Sequence, residues 1–193
     1  MTPMTLTGAV VQLEPLLPEH AAELVAAADA DRSSFGFTNV PADEAAMARY
    51  IELAIAAPDQ YPFVHRRLAD GALVGSTRFG SLEWWPESDA PRVAEIGWTW
   101  LIASAQRTPI NTEAKLLMLT QAFDVWGVQR LQLKTDRLNE RSRAAIERLG
   151  AIFEGYLRHH MPAAGRAGVR DSAMYSIIPA EWPGVRAGLV ARL

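Results

Sequence analysis

The clearest alternation of apolar and polar positions runs from Val93 to Gly150. Val93 to Leu101 is mostly apolar and predicts a strand. The polar run Gln106-Arg107-Thr108-Pro109-Ile110-Asn111 follows as a turn. Leu116, Leu119, Phe123 and Trp126 then fall on one stripe, predicting an amphipathic helix over Thr112 to Trp126. Arg130 to Thr135 predicts a short strand. Asn139, followed by Glu140 and Ser142, has the form of a helix N-cap, and Gly150 is the matching stop after Leu149.

The flanking segments are simpler. Leu6 to Leu13 alternates loosely and predicts a first strand. Pro18 to Asp31 and Pro41 to Ala57 are Ala-rich with Pro at the start, which predicts two helices. Tyr61 to Leu68 and Leu73 to Ser81 flank Asp70-Gly71, a strong hairpin signal. A loop containing Trp84 and Trp85 precedes Val93. Ala151 to Leu157 and Ser172 to Ile178 predict two closing strands joined by the loop Pro162 to Gly168. With no repeat, linker or low-complexity tract, residues 1–193 read as a single α/β (α+β) domain with an antiparallel end.

Composition adds exclusions. The chain is 49% hydrophobic and 21% charged, as for an ordinary soluble domain. Apolar runs are too short for a membrane span, and Met1 to Val11 lacks the basic start and apolar core of a signal peptide, so a cytoplasmic protein is expected. The absence of cysteine removes disulfides, thiolate metal sites and cysteine nucleophiles. The net charge of −3 hides an asymmetry: Arg107 to Arg170 carries eleven Lys/Arg against six Asp/Glu, and the remainder eight against sixteen. That pattern suits a local anionic ligand rather than nucleic acid, and equally a solvated surface with uneven charge.

Several chemistries lack their motifs. No G-x-G-x-x-G or G-x-x-x-x-G-K-[ST] is present, and Gly75-Ser76 is not part of a G-x-S-x-G elbow. His159 and His160 are adjacent, so in an extended strand they point to opposite faces, and no metal site is expected. The turn at Gln106 to Asn111 has two readings: a plain connector in which Thr108 and Pro109 start a helix, or a cradle in which backbone amides, a positive helix end and Arg107 hold a phosphate. Asn139 is likewise either a simple cap or part of a site.

Taken in order, the strand, the Q-x-x-P-x-N turn, the long helix, the strand and the N-x-x-S helix closing at Leu149-Gly150 resemble the acetyl-CoA core of the GNAT superfamily of N-acetyltransferases. More closely, Glu95-Ile96-Gly97-Trp98, Asn111-Thr112-Glu113-Ala114, Asn139-Glu140-Arg141-Ser142 and Glu154-Gly155-Tyr156-Leu157-Arg158 are similar to the ribosomal-protein N-terminal (RimJ/RimL-type) branch. The family's cofactor turn is usually Q/R-x-x-G-x-G/A. Here Pro109 and Asn111 hold the glycine positions, and Pro109 removes one backbone donor.

The resemblance implies a mixed, mostly antiparallel central sheet of about seven strands, splayed between the fourth and fifth. It implies acetyl-CoA as co-substrate, without a metal. Leu101 and Ile102 would pair with the pantetheine arm. The turn Gln106, Arg107, Thr108, Ile110, Asn111 and Thr112 would hold the pyrophosphate, with Asn139, Arg141 and Ser142 on the other side. Glu95 is the candidate base, with an ion pair to Arg92 or another neighbour as its structural alternative. Many members carry Tyr where this chain has Ile146, so Ser142 becomes the candidate partner of the leaving sulfur.

The acceptor is implied to be a peptide N-terminus or a small amine near Phe35, Phe37, Asn39, Trp84 and Trp85; the tryptophans equally suit a core or an interface. Trp98 and Trp100 share a strand face, in a core or a homodimer seam. An idle domain that binds acyl-CoA or a protein partner is the competing reading, motivated by Pro109 and Ile146.

Overall fold

The protein is described by a computed structural model over residues 4–193, so the reading of Met1 to Val11 begins outside the described residues. Its strands are β1 (Leu6–Thr7), β2 (Val11–Pro15), β3 (Tyr61–Arg67), β4 (Leu73–Glu83), β5 (Val93–Leu101), β6 (Arg130–Asp136), β7 (Ile152–Pro162) and β8 (Val169–Ile177). They form one eight-stranded sheet in the order β1-β2-β3-β4-β5-β6-β8-β7. All neighbours pair antiparallel except β5 and β6. The helices are α1 (Ala21–Asp29), α2 (Glu44–Ala56), α3 (Pro109–Thr120), α4 (Glu140–Leu149) and α5 (Trp182–Val190).

Two apolar clusters cover the two faces. Leu24, Met47, Ile51, Val64, Leu73 and Trp100 join α1 and α2 to one face. Met118, Leu119, Ile146, Leu149, Trp182 and Leu189 join α3, α4 and α5 to the other. Gly150 adopts φ 99° as the left-handed stop of α4, a conformation open to glycine at little cost.

The expected elements are present, with four differences. Leu6 to Leu13 is not one strand: β1 and β2 fold back on each other with Leu6 opposite Leu13, which makes eight strands where about seven were expected. A buried carboxylate makes the reversal, because Glu113 of α3 accepts from the backbone N–H of Ala9 (2.7 Å), Val10 (2.7 Å) and Val11 (2.9 Å). Helix α3 starts at Pro109, as the connector reading of the turn has it, rather than at Thr112 where the apolar stripe begins, and ends in a π-helical turn, Gln121–Val125. The closing strands β7 and β8 extend to the edges of the 163–168 loop.

The fourth difference is α5, absent from the sequence reading. Its WPGVRAGLV segment holds one proline and two glycines, which read as breakers. Packing overrides that preference: Trp182 stacks on Phe123 at 5.5 Å and its indole N–H donates to Asp124 at 2.7 Å.

A polar group is sealed between α3 and the sheet. Lys115 is 5% exposed, and its ammonium donates to Thr99 Oγ1 at 2.7 Å and to Thr77 Oγ1 at 3.4 Å. Burial pulls its pKa down to about 7. On β3, His65 is fully buried with both ring nitrogens unpartnered. Burial, then the Lys115 charge, lowers its pKa to about 3, partly opposed by the Gly75 backbone.

Both groups bind protons more readily in the unfolded chain, so stability rises with pH while the unfolded state holds the extra proton. For Lys115 that window runs from about 7 to its ordinary 10.5. For His65 it runs from about 3 to 6.5. Lys115→Met should therefore stabilise the fold at pH 7 by about 1–4 kcal/mol and flatten the alkaline rise. Urea unfolding across pH 7 to 10 checks this. A wild-type profile without a rise, or a variant weaker at pH 7, contradicts it.

Candidate active site

The parallel pairing of β5 with β6 covers only Val93, Ala94 and Glu95, opposite Arg130, Leu131 and Gln132. Beyond Glu95 the two strands part. On its other side β5 stays paired with β4, but the register shifts between Ser76 and Arg78, which lie opposite Trp100 and Gly97. Trp98 sits in that irregularity with φ 51°, a left-handed conformation that a bulky residue adopts at a cost. An extra residue bends and twists a strand, which is how β5 leaves β6 and opens a cleft.

The cleft's far end is the turn between β5 and α3. Thr108 caps α3, its hydroxyl accepting from Ile110 N–H and donating to the Ala105 carbonyl at 2.7 Å. Pro109 is the first helical residue. A helix has no internal acceptor for the N–H at that position, so proline there removes a donor from the cradle without weakening the helix. The early start also makes Thr112 the fourth helical residue, whose N–H belongs to the helical ladder. The amides of Arg107, Thr108 and Asn111 remain as donors. Arg107 is exposed with φ 58°.

Gln106 organises the mouth. Its Nε2 donates to the Leu101 carbonyl at 2.8 Å and to Ser34 Oγ at 2.9 Å, while its Oε1 accepts from Arg141 at 3.2 Å. Arg141 also donates to the Ser34 carbonyl at 3.0 Å. The Leu101 carbonyl is thus satisfied by a side chain, and the Ile102 N–H donates to Val74 at 2.9 Å. Asn139 is a true N-cap, its Oδ1 accepting from the Ser142 N–H at 3.0 Å, and Ser142 lies half-buried in the first turn of α4. Ile146 is packed in the core.

Glu95 lies on the α1–α2 face and is 2% exposed. Its Oε2 accepts from Lys134 of β6 at 2.7 Å and from the Ser81 hydroxyl at 3.1 Å. Arg92 instead donates to the Trp126 and Gly127 carbonyls. On the same side of β6 and β8, His160 Nδ1 pairs with Ser172 at 2.9 Å, and Arg170 Nε donates to that hydroxyl at 3.0 Å. Burial lowers the His160 pKa first, then Lys134 and Arg170, against Glu95. Burial likewise lowers that of Arg170, with Asp136 and Glu95 opposing it. These are charged groups of one neighbourhood.

The acceptor candidates divide. Phe35 is buried, edge-on to Trp100 at 5.7 Å, and belongs to the α1–α2 core. Phe37 and Asn39 are exposed on the same loop, which reaches the mouth through Ser34. Trp84 and Trp85 are 43% and 50% exposed, so they are not core. They follow Glu83, which pairs with Val93 two residues along β5 from Glu95, at the opposite end of β5 from Gln106. Trp100 is a core residue rather than a seam. Lys134, Ser34 and Arg78 were missed. The one available signal for Lys134 is that the chain has only two lysines beside seventeen arginines.

Among the described residues, no group of three or more His, Asp or Glu side chains is placed to hold a metal ion, and no helix is long and apolar enough to cross a membrane.

Comparison with known proteins agrees with this architecture. A solved structure of a GCN5-related N-acetyltransferase from Brucella melitensis is 30% identical, with a TM-score of 0.87 over 99% of this chain and 86% of that one. The RimJ of Mycobacterium smegmatis, solved with CoA-disulfide, shares the fold at 23% identity and a TM-score of 0.78, over 99% of this chain and 93% of that one. A Bacillus subtilis (strain 168) protein named "Putative ribosomal N-acetyltransferase YdaF" is 32% identical over 117 residues, 61% of this chain and 60% of its own length. The match thus spans about three fifths of that curated relative. The family signature described as an acetyltransferase (GNAT) domain matches residues 11–152. That span takes in the cleft, the turn and the N-cap of α4, and the chain belongs to the GNAT acetyltransferase family.

Proposed function

We propose that the whole chain is one acetyl-CoA-dependent N-acetyltransferase of the cytoplasm, passing an acetyl group to a primary amine on a peptide N-terminus or a small molecule. The observation that carries this reading is the cleft where β5 leaves β6, with the start of α3 at one end and Glu95 at the other. The ribosomal name of the Bacillus subtilis relative and the CoA-disulfide held by the Mycobacterium smegmatis protein support it.

The residues present suit the co-substrate. The cap of α3 offers backbone donors and a positive helix end, and Arg107 adds a charge free of any ion pair among the described residues. Arg141 and Gln106 line the same mouth. When bound, acetyl-CoA supplies an activated acetyl carbon; the amine forms the new C–N bond as the C–S bond breaks.

The chain's own part is placement and proton handling. Lys134 and Ser81 hold the Glu95 carboxylate, which takes the ammonium proton directly or through a water. The bulge at Gly97 and Trp98 turns β5 backbone toward the cleft, where an N–H can stabilise the oxyanion. Ser142, placed by the Asn139 cap, donates to the sulfur. The idle-domain reading loses its motive at Pro109, whose place at the helix start is explained by the fold, and Ile146 is accounted for by packing.

Acetyl-CoA at about a hundred times its Kd should stabilise the protein by about 2.7 kcal/mol in thermal unfolding; no shift at millimolar ligand removes the reading. Glu95→Gln should lower kcat by about 100-fold or more. Ser142→Ala should lower it about five- to tenfold, the worth of one hydrogen bond. Both should leave the acetyl-CoA shift in place, and unchanged turnover in either removes that residue's role. Pro109→Gly should cost at most about 1 kcal/mol of stability and bring little gain in affinity. A large gain would mean the turn is impaired as it stands.

A further inference from the structure

Arg78 of β4 is a buried cation that the protein does not satisfy. It is 4% exposed. Its Nη1 donates to Gln60 Oε1 at 2.8 Å, and its guanidinium lies 4.7 Å from the Tyr50 ring and 5.0 Å from the Trp98 ring. Nε and Nη2 are buried without a hydrogen-bond partner, and no ion pair involves Arg78 among the described residues. Burying a charge is costly unless it is paired and its donors are met.

The two unmet nitrogens are not arbitrary. Nε and Nη2 share one side of the guanidinium, and that side presents two parallel N–H groups to a carboxylate. The two rings hold the plane of the group, and Gln60 fixes its opposite edge. What is left is an oriented, charged fork.

Its position ties it to the reaction. Arg78 lies opposite Gly97 in the β4–β5 register, beside the bulge where the cleft opens, and such partners are about 4.5–5.5 Å apart. The Trp98 ring also fills the space over Gly80, where a methyl group would collide with it. It reaches to 6.0 Å from Lys134, the partner of Glu95. Tyr50, Gln60 and Trp98 are all half-buried, so the guanidinium sits one layer of side chains below the surface. Glu95 is already balanced by Lys134, and Arg78 has no ion-pair partner among the described residues.

We propose that the Nε/Nη2 edge of Arg78 seats a carboxylate of the acceptor, which makes the acceptor a small amine of the amino-acid class with its acid group close to the reacting nitrogen. The assignment of that carboxylate to the acceptor rests on the acetyltransferase reading; the seat itself does not. A planar carboxylate matches the two parallel N–H groups of that edge, and the uncharged carbonyl of an internal peptide residue would leave the charge unbalanced.

The test separates the two. In the 15N-labelled full chain, the Arg78 Nε–H resonance, assigned by its loss in Arg78→Lys, is followed while N-acetylglycine or N-acetylglycinamide is added. The acid should shift it saturably and the amide should not. Turnover, read as thiol release from acetyl-CoA, is then compared for common amino acids and their α-amides. The acids should be preferred by about tenfold or more in kcat/KM, an energy of about 1.4 kcal/mol. Arg78→Lys and Arg78→Met should bring the preference toward unity through KM, with the acetyl-CoA thermal shift retained.

A resonance that ignores N-acetylglycine, or responds equally to the amide, overturns the seat. A wild-type enzyme that uses amides or amidated peptides as well as free acids overturns the assignment of that carboxylate to the acceptor. A saturable response to N-acetylglycine with no thiol release from any amine keeps the seat and defeats the acetyl-transfer reading instead.

Discussion

The architecture depends on where one strand loses its neighbour. Backbone N–H and C=O groups in a sheet need partners, so a strand in mid-sheet does not leave its neighbour without a local cause. In β5 that cause is the irregularity at Gly97 and Trp98, tolerated because β4 still holds the other edge. Everything of chemical interest is arranged about the gap. The turn and α3 lie beyond its open end, α4 and its cap lie across it, and the Glu95–Lys134 pair stands where the parallel pairing stops.

Buried polar groups mark the same region from both faces. The chain has seventeen arginines and two lysines; Lys115 is buried and Lys134 half-buried. Lys115 lies under α3 with Thr77 and Thr99, and Lys134 binds Glu95. A compact ammonium on a flexible stem reaches a single buried acceptor where a planar guanidinium needs a wider set of partners. Arg78 is the counterexample: its wider set is only partly supplied by the protein. Glu113 spends a buried carboxylate on three backbone amides and thereby joins the first hairpin to α3.

Local patterning located much of the site. The β5 strand, the Asp70-Gly71 hairpin, the Asn139 cap and the Gly150 stop are decided within a few residues by propensity and capping chemistry, and they occur where the pattern predicts them. Helix α3 was displaced because Thr108 and Pro109 form a competent start before the apolar stripe begins. The first strand was misread because its reversal is made by Glu113, about a hundred residues away. Helix α5 was missed because its two glycines and proline outweigh, locally, the packing of Trp182 and Leu189.

By itself the sequence determined the order of elements from β5 to α4, the sharp turn into α3, and the cap and stop of α4, because each depends on neighbours a few bonds away. Only the tertiary structure decided which charges meet. Glu95 pairs with Lys134 across a short parallel contact rather than with nearby Arg92. Gln106, Arg141 and Ser34 converge from three separate segments. Arg78 is buried between an α2 ring and a β5 ring, with one edge unmet. Such pairings are set by the register and crossing of distant strands, and no local pattern along the chain encodes them.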